Sequence, residues 1–369
     1  MQKDLIQRVV ERAIEIQQIP APTFEEGLRA EFVAQAFREE GLSQVEIDQV
    51  GNVFGCLPGD SSERSLVVSA HTDTVFPQEI DLSVRRRSGK ISGPGIGDNS
   101  LGVAGLFGLL WMLREEEIRL PGDLWLVANV GEEGLGDLYG MHEVVARFAD
   151  QPLGYVILEG LAFGRLYHRG LGVKRYRISI NTQGGHSWVD YGRPSAVHEL
   201  ASLVNTLVNL RLPKRPRTTM NVGRISGGVS INTIAPSASI ELDVRSEDGK
   251  VLAQTCKKVE QAILQVEKPG VMIDVEVIGN REFGEIPSDH PLVQVGVQAI
   301  RHQGIEPELL IGSTDANAVL SKGYPAICIG LANGGAAHTE GEFMLTENLP
   351  RGLAQLLEVV AAGFRQQAA

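Results

Sequence analysis

In the stretch SLVVSAHTDTVFP, residues 65–77, an apolar run leads directly into His71 and, two positions on, Asp73. Residues with the same chemical capacity stand where other apolar runs stop: Glu132 and Glu133 after LWLVANVG, Glu159 closing YVILE, and His338 in the loop after AICIGL. Asp98 lies in GPGIGDNSLG, a glycine-rich turn leading into an apolar helical run. Imidazoles and carboxylates are ligands for divalent cations. Singly, each residue has an ordinary structural role: a strand exit, a turn or helix N-cap, a solvated acidic pair, a loop histidine. Jointly they point elsewhere. Carboxylates beside apolar strands are costly to desolvate without a cation, and neither ANVGEEGLGDLYG nor VILEG contains a Lys or Arg to supply one.

Charge sets the number of cations. Asp98, Glu133 and Glu159 as ligands bring about -3, so two divalent ions and one hydroxide make the cluster roughly neutral, whereas one zinc leaves it negative. Two metals with Asp98 between them is the expected arrangement. Glu132 and Glu133 are neighbours and point differently, so one binds metal while the other faces the water. That assigns Glu133 as a ligand and Glu132 as the general base, which takes the water's proton and returns it to a leaving amine. Asp73 is expected to hold the second ring nitrogen of His71 and so to fix its tautomer.

Positioning such groups requires strands that end together. From Ser65 to about Gly160 strand-like and helical runs alternate: SLVVSA, SLGVAGLFGLLWMLREEE, DLWLVANV and YVILEG. This is an α/β layer pattern, and in open α/β sheets ligands bind beyond the carboxyl ends of the strands. Near Gly172 the pattern changes. GVKRYRISINT reads as a strand, PSAVHELASLVNTLVNL as a helix starting on Pro194, TTMNVGRISGG, VSINTIA and SASIELDVRS as three strands, GKVLAQTCKKVEQAILQV as a helix and GVMIDVEVIG as a last strand. That order is the split βαβ, or ferredoxin-like, arrangement. Afterwards PLVQVGVQAIRHQG, YPAICIGL and NLPRGLAQLLEVVAAGFRQ resume the first pattern. The expected fold is therefore α/β: a mixed-sheet catalytic domain with helices on both faces, built from residues 1–171 and 284–369, interrupted by an α+β domain at 172–283.

At 369 residues the chain has ample material for two domains. Its 34 Lys plus Arg against 46 Asp plus Glu give a net charge of -12, which argues against nucleic acid or an anionic membrane as the main partner. Cys56, Cys256 and Cys328 form no CxxC pair, which suits a reducing compartment. The opening MQKDLIQRVVERAIEIQQIPAP reads as an amphipathic helix rather than a signal peptide, and no apolar run approaches the roughly 18 to 20 residues of a membrane span. A soluble, cytoplasmic protein is expected.

HTDTV, GPGIGDNSLG, GEEG, ILEG, GGHS, NTIAPSASIELDVR, and STDAN followed by AHTEGE occur in that order over nearly the whole chain. In this the sequence resembles the zinc-dependent exopeptidase and deacylase family that contains glutamate carboxypeptidase, peptidase T, aminoacylase and succinyl-diaminopimelate desuccinylase. The resemblance implies two Zn2+ per subunit, one held by His71, Asp98 and Glu159 and the other by Asp98, Glu133 and His338; Co2+ or Mn2+ suits the same ligands. It implies that His186 in QGGHSW is a lid-domain histidine that stabilises the oxyanion, often from the partner subunit. It likewise implies that Asn232 and Arg245 bind substrate, Arg245 through a carboxylate, and that the inserted domain is a lid through which a homodimer forms. The other histidines, His142, His168, His198, His290 and His302, lie outside these motifs.

Two departures from the family pattern stand out, the second of which bears on substrate. Asn99 follows Asp98 where many relatives have a second acidic residue, and Glu159 accompanies deacylase-like members, whereas STDAN and GPGIGDN are more similar to the peptidase branch. The expected activity is hydrolysis of amide bonds in small peptides by an exopeptidase, of the di- or tripeptidase or carboxypeptidase type. An N-acyl-amino-acid deacylase with the same machinery is the alternative. A binding module without catalysis would leave Glu132, His186 and Arg245 without a task.

Overall fold

Four apolar runs lie side by side as parallel strands, in the order Asp123–Asn129, Ser65–His71, Tyr155–Glu159, Ala326–Gly330, in a computed structural model that describes residues 3–365. Nearly every residue in them is buried. Strands covered on both faces are apolar throughout rather than alternating, which is why these runs are continuous. Antiparallel strands extend both sides: Val53–Leu57 and Ser43–Ile47 beyond Asp123–Asn129, and Arg165–Gly170 beyond Ala326–Gly330. Glu308–Gly312 and Gly284–Glu285 complete a mixed nine-stranded sheet. The architecture is thus mixed α/β. Helices Lys3–Gln17, Gly102–Glu115, Pro291–His302 and Leu349–Gly363 pack in one linked set, Tyr139–Phe148 and Ala316–Leu320 in another, and both sets contact the sheet.

The helix Gly102–Glu115 is buried from Gly102 to Leu113. With the turn before it, Ile96–Glu115 is long and apolar enough to cross a membrane by length and composition, yet 94% of that window is buried inside the protein. The expectation that no apolar run approaches such a length fails here. The reason is central packing: this helix touches helices Lys3–Gln17 and Leu349–Gly363 as well as the sheet, so it has almost no face left to be polar.

Two helices come close to the end of the Ala326–Gly330 strand. A Cβ on Gly105 would lie 2.3 Å from Leu331 Cδ1, and one on Gly352 would lie 1.8 Å from the Leu331 carbonyl oxygen. These close approaches anchor the strand end from which the chain runs on toward His338.

Residues Leu171–Phe283 form a second compact unit. Its four-stranded antiparallel sheet has the order Thr218–Gly227, Ser237–Ser246, Gly172–Thr182, Val271–Arg281, and helices Ala196–Val208 and Gly249–Leu264 pack on it. Alternation sorts its side chains. Tyr176, Ile178, Ile180, Ile240, Leu242 and Val244 are buried in its core, while Arg175, Arg177, Glu241 and Asp243 between them pair with one another across the strands. Two sequence expectations change. VSINTIA is no member of this sheet: only Thr233–Ile234 is a strand, and it pairs with Gly185–His186. The first helix begins at Ala196 rather than Pro194, after the extended Ser195.

Replacing Gly352 by Ala drives a methyl group into a backbone carbonyl, which no rotamer change relieves. Gly352→Ala is expected to destabilise the fold by about 1–3 kcal/mol, measured as a lower urea midpoint at unchanged slope. An unchanged midpoint would show that the helix can draw away from Leu331 without loss.

Candidate functional site

Because the four central strands are parallel, their carboxyl ends lie on one edge of the sheet. His71 is the last residue of its strand and Glu159 the last of the neighbouring one. Glu133 follows the end of the Asp123–Asn129 strand, His338 lies beyond Ala326–Gly330, and Asp98 sits in the irregular turn before helix Gly102–Glu115. Donor atoms of His71, Asp98 and Glu133 all lie within 4.8 Å of one another. Asp98 stands between two imidazoles: its Oδ1 is 3.2 Å from His71 Nε2 and its Oδ2 is 3.1 Å from His338 Nε2. Glu159 Oε2 approaches the same His71 nitrogen at 3.8 Å, and Glu133 Oε1 approaches His338 Nε2 at 3.2 Å. His71 is 1% exposed and His338 55%, so one half of the cluster is sealed and the other is open.

The turn bearing Asp98 is tied at both ends. Glu342, fully buried, accepts the amides of Gly97 and Asp98 on Oε1, both at 2.7 Å, and that of Gly95 on Oε2 at 3.1 Å. Asn99 donates from Nδ2 to the Leu158 carbonyl and accepts the Gly160 amide on Oδ1, both at 2.8 Å. It thereby clasps the backbone on either side of Glu159. The Asn99 amide donates and accepts at once, whereas an ionised carboxylate here would face the Leu158 carbonyl with no proton to give. This is a physical reason for the neutral residue at position 99.

Asp73 is buried, and its carboxylate accepts the Glu132 amide at 2.9 Å, the Glu133 amide at 2.8 Å and the Thr23 hydroxyl at 2.8 Å. Its main-chain oxygen lies 3.2 Å from His71 Nδ1, closer than its carboxylate at 3.4 Å. Asp73 thus stands beside the His71 ring and, by the shorter contacts, fixes the loop that carries Glu132 and Glu133. Glu26 accepts the neighbouring Gly131 amide at 3.1 Å, and the buried Arg29 donates to the carbonyls of Ile19 and Thr72. Asn129, at the end of its strand, donates to Asp315 of the STDAN segment at 2.7 Å.

Electrostatics follow from this crowding. Burial alone would lower the His71 pKa, but Asp73, Asp98 and Glu159 outweigh it and hold the pKa well above the ordinary histidine value. The hydrogen bond to Asp98, helped by Glu133, raises His338 to about 10. Burial pushes Glu159 up to about 7 despite His71, and pushes Glu342 up to about 7 despite the amides it accepts. Asp98 moves the other way: its two histidines outweigh burial and hold it below the usual carboxylate range. A region that draws protons this strongly onto its imidazoles attracts positive charge. Two imidazoles and three carboxylates in this arrangement fit a divalent transition metal, and the donor atoms of His71, Asp98 and Glu133 come close enough together to hold one.

The remaining residues singled out in the sequence lie in the second unit. His186 is in the two-residue strand paired with Thr233–Ile234, and the Ser187 amide donates to the Asn232 carbonyl at 3.0 Å, so His186 and Asn232 occupy adjacent loops. Arg245 Nε donates to Asp243 Oδ2 at 2.7 Å, and its guanidinium is already engaged. Among the other histidines, His168 is buried with Nδ1 2.7 Å from the Ile286 carbonyl, and His290 caps helix Pro291–His302, its Nδ1 accepting the Leu292 amide. Sequence reasoning gave no task to Glu342, Glu26, Arg29, Asn129 or Asp315. One signal was available: polar residues embedded in or adjoining apolar runs, as Asn129 in LVANV and Glu342 before FML.

Comparison with known proteins bears on this geometry. Carboxypeptidase G2 of Pseudomonas sp. strain RS-16 is 27% identical over 333 residues, covering 85% of this chain and 77% of that protein. A putative succinyl-diaminopimelate desuccinylase of Mycobacterium tuberculosis is 24% identical over 339 residues, covering 90% of this chain and 92% of that protein. Among solved structures, a tripeptidase of Staphylococcus aureus superposes with a TM-score of 0.83 at 22% identity, covering 98% of this chain and 99% of that one, which shows a shared fold. Residues 67–362, a span that runs from the His71 strand through the last helix, match Peptidase family M20/M25/M40 as a whole. The chain belongs to that family and is a hydrolase.

Proposed function

We propose that the protein is a co-catalytic dizinc exopeptidase that hydrolyses amide bonds in small peptides. The observation that carries this reading is Asp98, with one carboxylate oxygen toward His71 and the other toward His338. His71, Asp98 and Glu159 would hold one ion, and Asp98, Glu133 and His338 the other; cobalt or manganese suits the same donors. Bound there, the ions would lower the pKa of a water molecule and polarise the scissile carbonyl.

The chain's own groups do the rest. Glu132, buried on the loop that Asp73 clamps, accepts the water's proton and passes it to the leaving amine. His186 Nδ1 accepts the amides of Trp188 at 3.2 Å and Val189 at 3.4 Å, so a neutral ring carries its proton on Nε2. That makes it a donor suited to an oxyanion. Asn232, on the adjacent loop, holds substrate, and Arg245 binds a substrate carboxylate by exchanging it for Asp243. The unit Leu171–Phe283 serves as lid and as the dimer contact. Three free, buried cysteines agree with a cytoplasmic setting.

Carboxypeptidase G2 and the tripeptidase support the peptide reading. The desuccinylase relative, together with Glu159 at its strand end, favours the second one: an N-acyl-amino-acid deacylase using the same residues.

Glu132→Gln is expected to lower kcat by about 10²–10⁴ while metal content, measured by elemental analysis, stays at the wild-type level. Full turnover in that variant would remove Glu132 from the mechanism. Matched short peptides, free or N-acylated at the amino end, are expected to be cleaved only without chelator. Cleavage that needs a free amino end marks an aminopeptidase or dipeptidase; cleavage of N-acylated members with a free carboxyl end marks a deacylase or carboxypeptidase. Mixing inactive His186→Ala and Glu132→Ala subunits is expected to restore part of the activity if His186 acts across a dimer. No recovery after proven subunit exchange would place it in its own chain or outside the reaction.

A further inference from the structure

A small antiparallel sheet adjoins the cluster through the chain itself. Its strands Arg85–Arg87, Lys90–Ser92, Phe343–Leu345 and Asn333–Gly335 pair in that spatial order. Directly opposed residues share a face. Arg86, Ile91 and Met344 therefore lie on one side, and Arg85, Arg87, Lys90, Ser92 and Phe343 on the other. Ile91 and Met344 are buried, whereas Arg85, Arg87, Lys90 and Ser92 border a cavity of about 420 Å3.

Arg86, on the other face, pairs with Glu11, but Arg85, Arg87 and Lys90 form no salt bridge among the described residues; the Lys90 ammonium lies 3.5 Å from the centre of the Phe343 ring. Asp81 and Glu340 also border the cavity. Asp81 acts on Arg85 without pairing with it and accepts the Ser83 amide and hydroxyl. Three cations against two carboxylates leave this cavity net positive in a chain whose net charge is -12. An anion is the complementary occupant.

The cavity is also within reach of the reacting centre. Gly341, on its wall, follows His338 by three residues, which bounds their separation at about 11 Å for an extended chain. Gly93 and Pro94 also border it and lead into the Asp98 turn, and Glu342 ties the two segments together: its carbonyl accepts the Gly93 amide at 2.9 Å and its carboxylate accepts those of Gly95, Gly97 and Asp98. A peptide advances by about 3.5 Å per residue, so two or three residues of an extended substrate span a distance of that size.

We propose that the Arg85, Arg87 and Lys90 face binds a side-chain carboxylate of the substrate, so that the enzyme selects peptides with an acidic residue two or three positions from the bond that is cut. This rests on amide hydrolysis at the cluster. Arg245, already paired with Asp243, is a different anchor and is left to the terminal carboxylate.

The test compares matched peptides carrying Glu or Gln, using the metal-loaded wild-type enzyme and an Arg85→Ser, Arg87→Ser double variant, whose changed side chains are exposed. The expected result is a KM for the Glu peptide that rises about tenfold or more in the variant, with kcat unchanged and the Gln peptide unaffected. Equal KM values for Glu and Gln peptides in the wild type, or no change in the variant, overturn the proposal. Calorimetric titration with glutarate and with inorganic phosphate at low salt runs alongside and needs no turnover. Glutarate binding lost in the double variant supports the site; phosphate binding without glutarate binding overturns it. If the wild type cleaves neither peptide, the hydrolase reading fails by itself and the glutarate titration alone decides the cavity.

Discussion

Like charges crowded at the end of an apolar sheet are the constraint on which the rest of the site depends. Asp98, Glu133 and Glu159 approach one another through two shared imidazoles, and no Lys or Arg among the described residues forms an ion pair with them. Carboxylates so placed stay ionised only if positive charge is held between them. The histidines fill that role when protonated, and divalent cations fill it better, since each brings two charges to a point. The surroundings obey the same rule. Asn99 supports the cluster without adding charge, Glu342 directs its carboxylate to backbone amides, and Asp73 divides its carboxylate between backbone amides and the His71 ring.

Those two carboxylates divide the supporting work. Glu342 gathers the amides of the turn before Asp98, and Asp73 gathers the amides of Glu132 and Glu133. Each converts a glycine-rich segment, free to take many conformations, into a loop of one shape. Glu26 repeats the device at Gly131, and Asn129 links the neighbouring strand end to the STDAN segment. Preorganisation of this kind resides in the loops, while the parallel strands supply a rigid edge from which the loops start.

In the second unit the same chemistry is arranged on a lighter frame. One face of its sheet is covered by helices and the other is laced by ion pairs, among which Arg245 already has Asp243 for a partner. His186 and Asn232 ride on loops joined by a two-residue strand pairing. An exposed histidine whose Nδ1 is occupied by backbone amides presents its other nitrogen outward, which suits a group that meets its target from outside. The cavity of Arg85, Arg87 and Lys90 complements this: cations left unpaired in an acidic protein are where an acidic ligand meets least competition.

The sequence by itself determined the parallel core and the groups at its edge. Continuous apolar runs such as LVVSA and VILE suit only strands buried on both faces, and parallel strands end together, so His71, Glu159 and the residues after Asn129 and Gly330 had to share one side. Local pattern could not disclose what depends on distant partners. The short pairing of Gly185–His186 with Thr233–Ile234 replaced a full strand at VSINTIA, and the central position of helix Gly102–Glu115, not any membrane, accounts for its apolar composition. Only the tertiary structure decided that Asn99 clasps both sides of Glu159, that Glu342 carries the Asp98 turn and that Arg29 is buried. Hydrogen bonds join residues far apart in sequence at no cost visible in either segment alone, so their partners are fixed by packing and not by spacing.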